Sequence, residues 1–356
     1  MKIMEKTLFR ALLLATTASL AAGALAAPAA ALADGTTTSL SSAEMAAALK
    51  AVAATTAIAE IPGYAGEVTA TFNSFSTTAV TTTLLHHPAL LKATDTGRQT
   101  GSVRFAADPV HGRGSFRSVI AGEGVTIGFG VGGKGEYVYL ADPAEHAAAR
   151  MAGLPAARYV FQPDPKLTLD TWAGQNAPAP SDLIVQDPRH PGTRTVHDDG
   201  SADYAYTTDS ATITYSADAG GVASGGTVAS PAIDETFLFQ YGAHSVTLPP
   251  STQVISRVTL TKALAYRTMA SSVARVAGDI TALVEEKAHG RNVTAAGVRK
   301  WGRVVVTGFN RSIEVTMVTV RNRAGGVRIG AKNPYTGATS AYVVKARGKH
   351  AVARKA

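Results

Sequence analysis

The chain has 356 residues, 34 Lys+Arg against 26 Asp+Glu, a formal net charge of +8 and no cysteine. The missing thiol excludes disulfides, thiolate metal sites, a cysteine nucleophile and a lipid-modified N-terminal cysteine. The length suffices for two domains, and the abundance of Thr and Val favours strands.

Residues 1–10 hold Lys2, Lys6 and Arg10 against one acid, Glu5, and residues 11–25 are apolar and uncharged. Ala31-Leu32-Ala33 then precedes Asp34, which is the order of a secretory signal with an A-x-A cleavage pattern. An alternative cut follows Ala26. The apolar run is 15 residues, short of the ~20 that span a bilayer. The expected product is secreted or associated with the cell envelope, after cleavage near Ala33.

Ser41 and Glu44 form a capping-box pattern that opens a helix running to about Ile58, stopped by Pro62-Gly63. Residues 66–74 alternate as a strand, with Val68, Ala70 and Phe72 on one face. Residues 76–96 read equally as loop or strand. Four strands are predicted over 99–106, 114–120, 124–129 and 136–140, punctuated by Asp108, Gly112, Gly122 and Gly132-Gly133. Asp142-Pro143 begins a short helix to Met151, and an irregular apolar stretch covers 159–161 and 167–172.

A second run of strands is predicted over 182–186, 194–197, 202–207, 211–216 and 235–240. A long helix over 259–286 carries the stripe Val273, Val276, Ile280 and Leu283, with Lys287 and His289 in its last turn and Gly290 to stop it. Short strands follow at 303–307, 313–320 and 327–331, with a fourth at 340–345 left open. Residues 347–356 read as a disordered basic tail.

The charge is segregated along this order. Residues 34–257 carry 13 Lys+Arg and 21 Asp+Glu, a balance of −8, whereas residues 258–356 carry 18 and 4, a balance of +14. Such asymmetry predicts a domain of residues 34–257, a boundary near Arg257 and a basic module of residues 258–346. A basic module outside the cell meets anionic membrane lipid, wall polymers or an acidic partner, or is simply a solvated face. Nucleic acid is not expected of an exported chain. The candidate contacts to an anionic surface are Arg299, Lys300, Arg303, Arg321, Arg323 and Arg328.

Two stretches carry a family resemblance. One is Val131-Gly132-Gly133-Lys134-Gly135-Glu136-Tyr137-Val138-Tyr139-Leu140. The other is Glu235-Thr236-Phe237-Leu238-Phe239-Gln240-Tyr241-Gly242, followed by Val246, Leu248-Pro249-Pro250 and Val254-Ile255. With the order helix, four strands, helical insert, then strands, residues 41–255 resemble the LolA-like fold of lipoprotein carriers and of the LppX/LprG group of actinobacterial lipoproteins. That group is anchored through a lipidated cysteine, which this chain lacks, so anchoring does not carry over. Residues 290–344 are similar in order to the globular end of a type IV pilin, although the helix here is internal and amphipathic.

The resemblance implies a curved antiparallel half-barrel sheet wrapped around helices for residues 41–255; with the long helix and small antiparallel sheet read after it, the expected chain is α+β. The resemblance also implies an apolar ligand cavity, whose candidate lining is Val68, Ala70, Phe72, Phe105, Phe116, Ile127, Phe129, Tyr137, Tyr139, Phe237 and Phe239. The alternative for each of these is a filled core.

Chemistry-bearing motifs are weak. G-x-S-x-G, H-E-x-x-H, P-loop and Rossmann patterns do not occur. His86-His87 reads as exposed loop histidines, and His197-Asp198-Asp199-Gly200 as a polar hairpin turn. Asp142, Glu145 and His146 read as a helix start, and Ser115, with only His111 nearby in sequence, is a poor nucleophile. No catalytic residue, metal site or cofactor is expected. The reading is an exported, non-enzymatic carrier or binder of a lipid-like ligand, with the basic module docking to the envelope. Its alternatives are an interaction, sensor or structural subunit built on the same scaffold, and a hydrolase with an unrecognised site.

Overall fold

A computed structural model describes residues 35–72, 99–120 and 124–356. The expected signal peptide, the open segment 76–96 and His86-His87 lie outside the described residues. In chain order the first elements are β1 (Thr36–Leu40), α1 (Ser42–Ala59), β2 (Tyr64–Phe72), β3 (Gln99–Asp108), β4 (Arg113–Ile120), β5 (Gly124–Val131) and β6 (Gly135–Tyr139). Then come α2 (Pro143–Met151), β7 (Tyr159–Pro163), α3 (Leu169–Asn176), β8 (Gly192–Val196), β9 (Ala202–Thr207), β10 (Thr212–Ala217), β11 (Ala223–Ala229) and β12 (Ile233–Tyr241). The last are β13 (Val254–Ser256), α4 (Arg257–Arg267), α5 (Met269–Ala288), α6 (Ala295–Ser312), β14 (Thr319–Arg323), β15 (Gly326–Lys332), β16 (Thr339–Arg347) and β17 (His350–Lys355). The chain is α+β, with one large sheet and a second of four antiparallel strands.

Contacts divide it into two units. One joins the described residues up to Tyr139 with Pro163–Leu248; the other joins Leu140–Gln162 with Pro249–Ala356. The boundary expected near Arg257 therefore falls at Leu248, and the helical insert counts with the C-terminal unit. A charge count along the chain has no means of registering such an exchange.

In the first unit the strand order is β1-β8-β9-β10-β11-β12-β2-β3-β4-β5-β6. Two antiparallel meanders, β2 to β6 and β8 to β12, are joined edge to edge where β12 pairs β2 in register Phe237↔Val68. The expected strand 182–186 is instead a 3₁₀ turn over Pro180–Leu183, because Pro180 removes a backbone donor and the turn docks on α1 through Ser181 N–H to Glu60 Oε1 at 2.6 Å. Strands β1 and β11 were not expected; their Thr-, Ser-, Ala- and Gly-rich sequences carry little apolar alternation.

The N-terminus of α1 has the capping box its sequence predicts, with Ser41 N–H donating to Glu44 Oε2 at 2.8 Å and Glu44 N–H to Ser41 Oγ at 3.4 Å. Met45, Leu49, Val52, Ala53 and Thr56 recur at helical spacing and are buried. They join a core with Tyr64, Phe105, Trp172, Tyr215, Phe237 and Phe239.

In the second unit β7 and β13 pair in parallel, in register Ile255↔Val160, and α4 packs on α2, with Arg267 donating to the Ala144 carbonyl at 2.6 Å. The small sheet runs β14-β15-β16-β17, and α5 and α6 cover one of its faces. Val273, Val276 and Ile280 of α5 and Val298, Val306 and Phe309 of α6 meet Val327, Ile329 and Val344 of the sheet.

Four expectations change here. The long helix 259–286 is two helices, α4 and α5. Thr268 departs from helical backbone at φ −99°, ψ 13°, and the break lets Leu260, Ala263 and Tyr266 bury separately from the stripe that starts at Met269. The expected strand 303–307 lies inside α6. Its Val304-Val305-Val306 run has strand propensity, but Val298, Gly302, Val306 and Phe309 form a helical stripe whose burial outweighs it. The expected strand 313–320 is correspondingly reduced to β14. The expected disordered tail is β17, which buries Ala351 and pairs His350–Lys355 with β16. Its apolar alternation is built from Ala and one Val, too faint beside five basic residues in 347–356 to read as a strand.

Candidate functional site

Residues directly opposite on antiparallel strands share a face. Val68 stands opposite Phe237 and Val103, Ala70 opposite Glu235 and Gly101, and Phe105 opposite Gly66 and Phe116. Val68, Ala70, Phe105, Phe116, Phe237 and Phe239 therefore lie on the core face, where Phe105, Phe237 and Phe239 are buried. Phe72 holds the register position opposite Ile233 and Gln99.

The other four candidates fall on the opposite face. Ile127 stands opposite Arg117, and Phe129 opposite Ser115 and Tyr137; Tyr139 follows Tyr137 two residues on. The core-facing positions of β5 are instead Gly128 and Gly130. A Cβ on Gly128 would meet the Phe116 ring, and Cβ atoms on Gly114 and Gly130 would meet the Trp172 indole. Glycine stands there because aromatic rings from a neighbouring strand and from α3 occupy the space. A reading that seeks large apolar residues then selects the wrong parity.

Trp172 is 1% exposed and fills that part of the core face. Three buried polar atoms have no hydrogen-bond partner among the described residues: Ser118 Oγ, Trp172 Nε1 and Glu235 Oε1. Glu235 is 6% exposed, set between Val228 and Ala70 on neighbouring strands, and burial pushes its carboxyl up to about 7.

An open groove of about 290 Å³ lies between α1 and strands β8 and β9. Leu40, Ala48 and Val52 give it an apolar floor, and the Arg194 guanidinium, 5.8 Å from the Tyr204 ring centre, stands at its wall. None of the candidate cavity residues whose side chains are described lines it. The only trace in sequence is the Ala- and Thr-rich outer side of α1, too common a pattern to single out.

Among the described residues, the polar clusters the sequence singles out fall into the following arrangements. His197 Nε2 lies 3.0 Å from Asp203 Oδ2, and Ser216 Oγ donates to the other oxygen, Asp203 Oδ1, at 2.6 Å. The carboxylate thus sits between hydroxyl and imidazole, whereas activating a serine requires the imidazole in the middle. His197 also closes the turn its sequence predicts, through Gly200 N–H to its carbonyl at 3.0 Å. Asp142 caps α2 through Ala144 N–H at 2.6 Å. Asp108 is buried beside His111, with Nδ1 2.8 Å from Oδ2. Burial acts to raise the Asp108 carboxyl, but hydrogen bonds from His111 and from the Val246 backbone outweigh it and hold the group below its ordinary value.

The candidate cations divide into two sets. On α6, Arg299 donates to the carbonyls of Gly326 and Arg323 at 3.4 and 3.1 Å, Arg303 donates to Asn322 Oδ1 at 3.3 Å, and Lys300 Nζ lies 4.9 Å from the Trp301 ring centre. Arg299 and Arg303 thus brace β14 and β15. On the sheet, Arg321 and Arg323 are exposed and Arg328 is half-buried, with Arg321 directly opposite Arg328.

No family model matches this chain, and no curated protein matches it. Among solved structures it is similar to an uncharacterized conserved protein from Thermus thermophilus, at 10% identity and a TM-score of 0.24, over 59% of this chain and 98% of that one. Likeness at that level carries no argument.

Proposed function

We propose that this chain is an exported, non-enzymatic protein that docks on an anionic envelope surface through its basic unit and binds an apolar ligand in its strand-rich unit. One observation carries the reading. Nine Lys+Arg follow Glu314 and no Asp or Glu does, and this acid-free stretch folds into the four-stranded sheet. Each cation near an anionic membrane surface contributes about 1 kcal/mol, so a handful suffices for reversible docking. The chain has no cysteine to carry a lipid, and that attraction is one hold on the envelope that it offers.

The ligand half rests on the resemblance to LolA-like carriers and on the groove beside α1. The groove's volume is near the lower limit for small-molecule sites, and its apolar floor, lined also by the Arg194 guanidinium and the Glu44 carboxylate, suits an amphiphile with a polar head. The test is lipid extraction and mass spectrometry of protein purified from a native-like bacterial host. A stoichiometric amphiphile supports carriage. Its repeated absence, with no binding of a fluorescent fatty-acid probe, defeats it.

A second reading, an interaction or structural subunit of the envelope, is favoured by Trp172 filling the core face against Gly114 and Gly130. Cross-linking in intact cells separates the two. A stable protein partner with no bound lipid supports the second.

A further inference from the structure

We propose that the solvent face of the four-stranded sheet is the docking surface, and that its occupant is a bilayer rich in anionic phospholipid. The proposal rests on the docking half of the function above and names the face and the partner.

Register assigns the face. Val327, Ile329 and Val344 turn toward α5 and α6, so the residues alternating with them turn outward. Arg321, Arg328, Val343 and Arg354 form one outward row across all four strands. Arg323, Gly326, Lys345 and Val352 form the next. Arg347, opposite His350, extends the face at the β16–β17 end.

None of these cations pairs with a carboxylate among the described residues. Glu285 of α5 is engaged by the Ala351 N–H at 2.8 Å and lies 3.4 Å from His350 Nδ1. An ordinary solvated face intersperses both signs, and like charges placed directly opposite on paired strands weaken the sheet. Arg321 against Arg328 is thus an arrangement that folding alone does not favour. It becomes favourable when anions lie over it.

The layout selects the occupant. Arg321 and Arg328 stand about 5 Å apart on adjacent strands, Arg328 to Arg354 and Arg323 to Lys345 span two strands at about 10 Å, and Arg321–Arg323 and Lys345–Arg347 repeat at about 7 Å along a strand, so the cations spread over two dimensions. That matches charge spread over an area, as in a membrane, better than charge along one polymer strand. The outward rows hold Val343 and Val352 but no Phe, Tyr or Trp ring, and His350 stands at the edge of the face, so single-stranded nucleic acid would find no run of stacking platforms.

The experiment uses the whole chain and vesicles of equal phosphatidylglycerol and phosphatidylcholine at low salt. The sheet-face variant R321E/R328E/R354E is compared with an off-face variant of three exposed cations, K262E/K300E/R311E, by co-sedimentation. The neutral set R321Q/R328Q/R354Q and thermal melts guard against misfolding. The sheet-face variant is expected to lose affinity by at least about 100-fold and the off-face variant by only a few-fold. If the off-face variant loses binding and the sheet-face variant keeps it, the face is wrong while docking stands. If the unaltered chain ignores these vesicles but is retained by polyphosphate or nucleic acid, or self-associates through this face, the bilayer is overturned as occupant. If it binds no anionic surface at all, the docking reading falls with the proposal.

Discussion

Arg321 on β14 stands directly opposite Arg328 on β15, with no carboxylate paired to either among the described residues. Arg328→Glu turns this like-charged pair into an opposite-charged one. The variant should gain about 0.2–1 kcal/mol of stability, read as a higher urea midpoint, while its affinity for anionic vesicles falls. A variant both less stable and equally well bound would mean that the pair is neither repelling nor functional.

Trp172 over Gly114 and Gly130 gives a packing prediction. Trp172→Ala empties a site that is 1% exposed and should cost about 3–5 kcal/mol in denaturant unfolding. Gly130→Ala should cost about 1–3 kcal/mol through its clash with the indole, and far less in a Trp172→Ala background. Equal costs in both backgrounds would separate the glycine from the ring.

Glu235 predicts a pH dependence. Burial raises its carboxyl from 4.5 to about 7, so the folded chain binds the proton more tightly than the unfolded chain does. The stabilisation is complete below about pH 4.5 and is lost as pH rises through about 7. Glu235→Gln should therefore match the parent near pH 4.5 and exceed it by about 2–3 kcal/mol at pH 8, from urea unfolding at the two values. A pH-independent difference would rule out titration of this group as the cause.

Thr56 is fully buried, and its Oγ1 accepts the Ala223 N–H at 2.9 Å, tying α1 to the start of β11. Thr56→Val keeps the volume but leaves that N–H unsatisfied. It should cost about 1–3 kcal/mol, with faster amide exchange at Ala223. Unchanged exchange would contradict the link.

These residues also mark what sequence reading reaches. Local signals were legible: the Ser41–Glu44 capping box and the turn after His197 appear where the spacing predicts them. The strands of the first meander were legible too, because Gly and Asp punctuate them. What failed was set by partners distant in sequence. Val304-Val305-Val306 has strand propensity, yet a sheet beneath it makes it helix. The parity of Phe129 and Tyr137 depends on Trp172, more than thirty residues away, occupying the glycine side. The excess of Lys and Arg was plain as a count, but only register shows Arg321, Arg328 and Arg354 in one row while Arg299 is held by backbone carbonyls and Arg303 by the Asn322 side chain.

The most direct test of docking is co-sedimentation of the purified chain with phosphatidylglycerol-containing and purely zwitterionic vesicles, at low salt and at ~0.5 M salt. Binding to the anionic vesicles alone, released by the added salt, is the expected result. Equal binding to both vesicle types, or binding that salt leaves untouched, would contradict docking through the acid-free sheet.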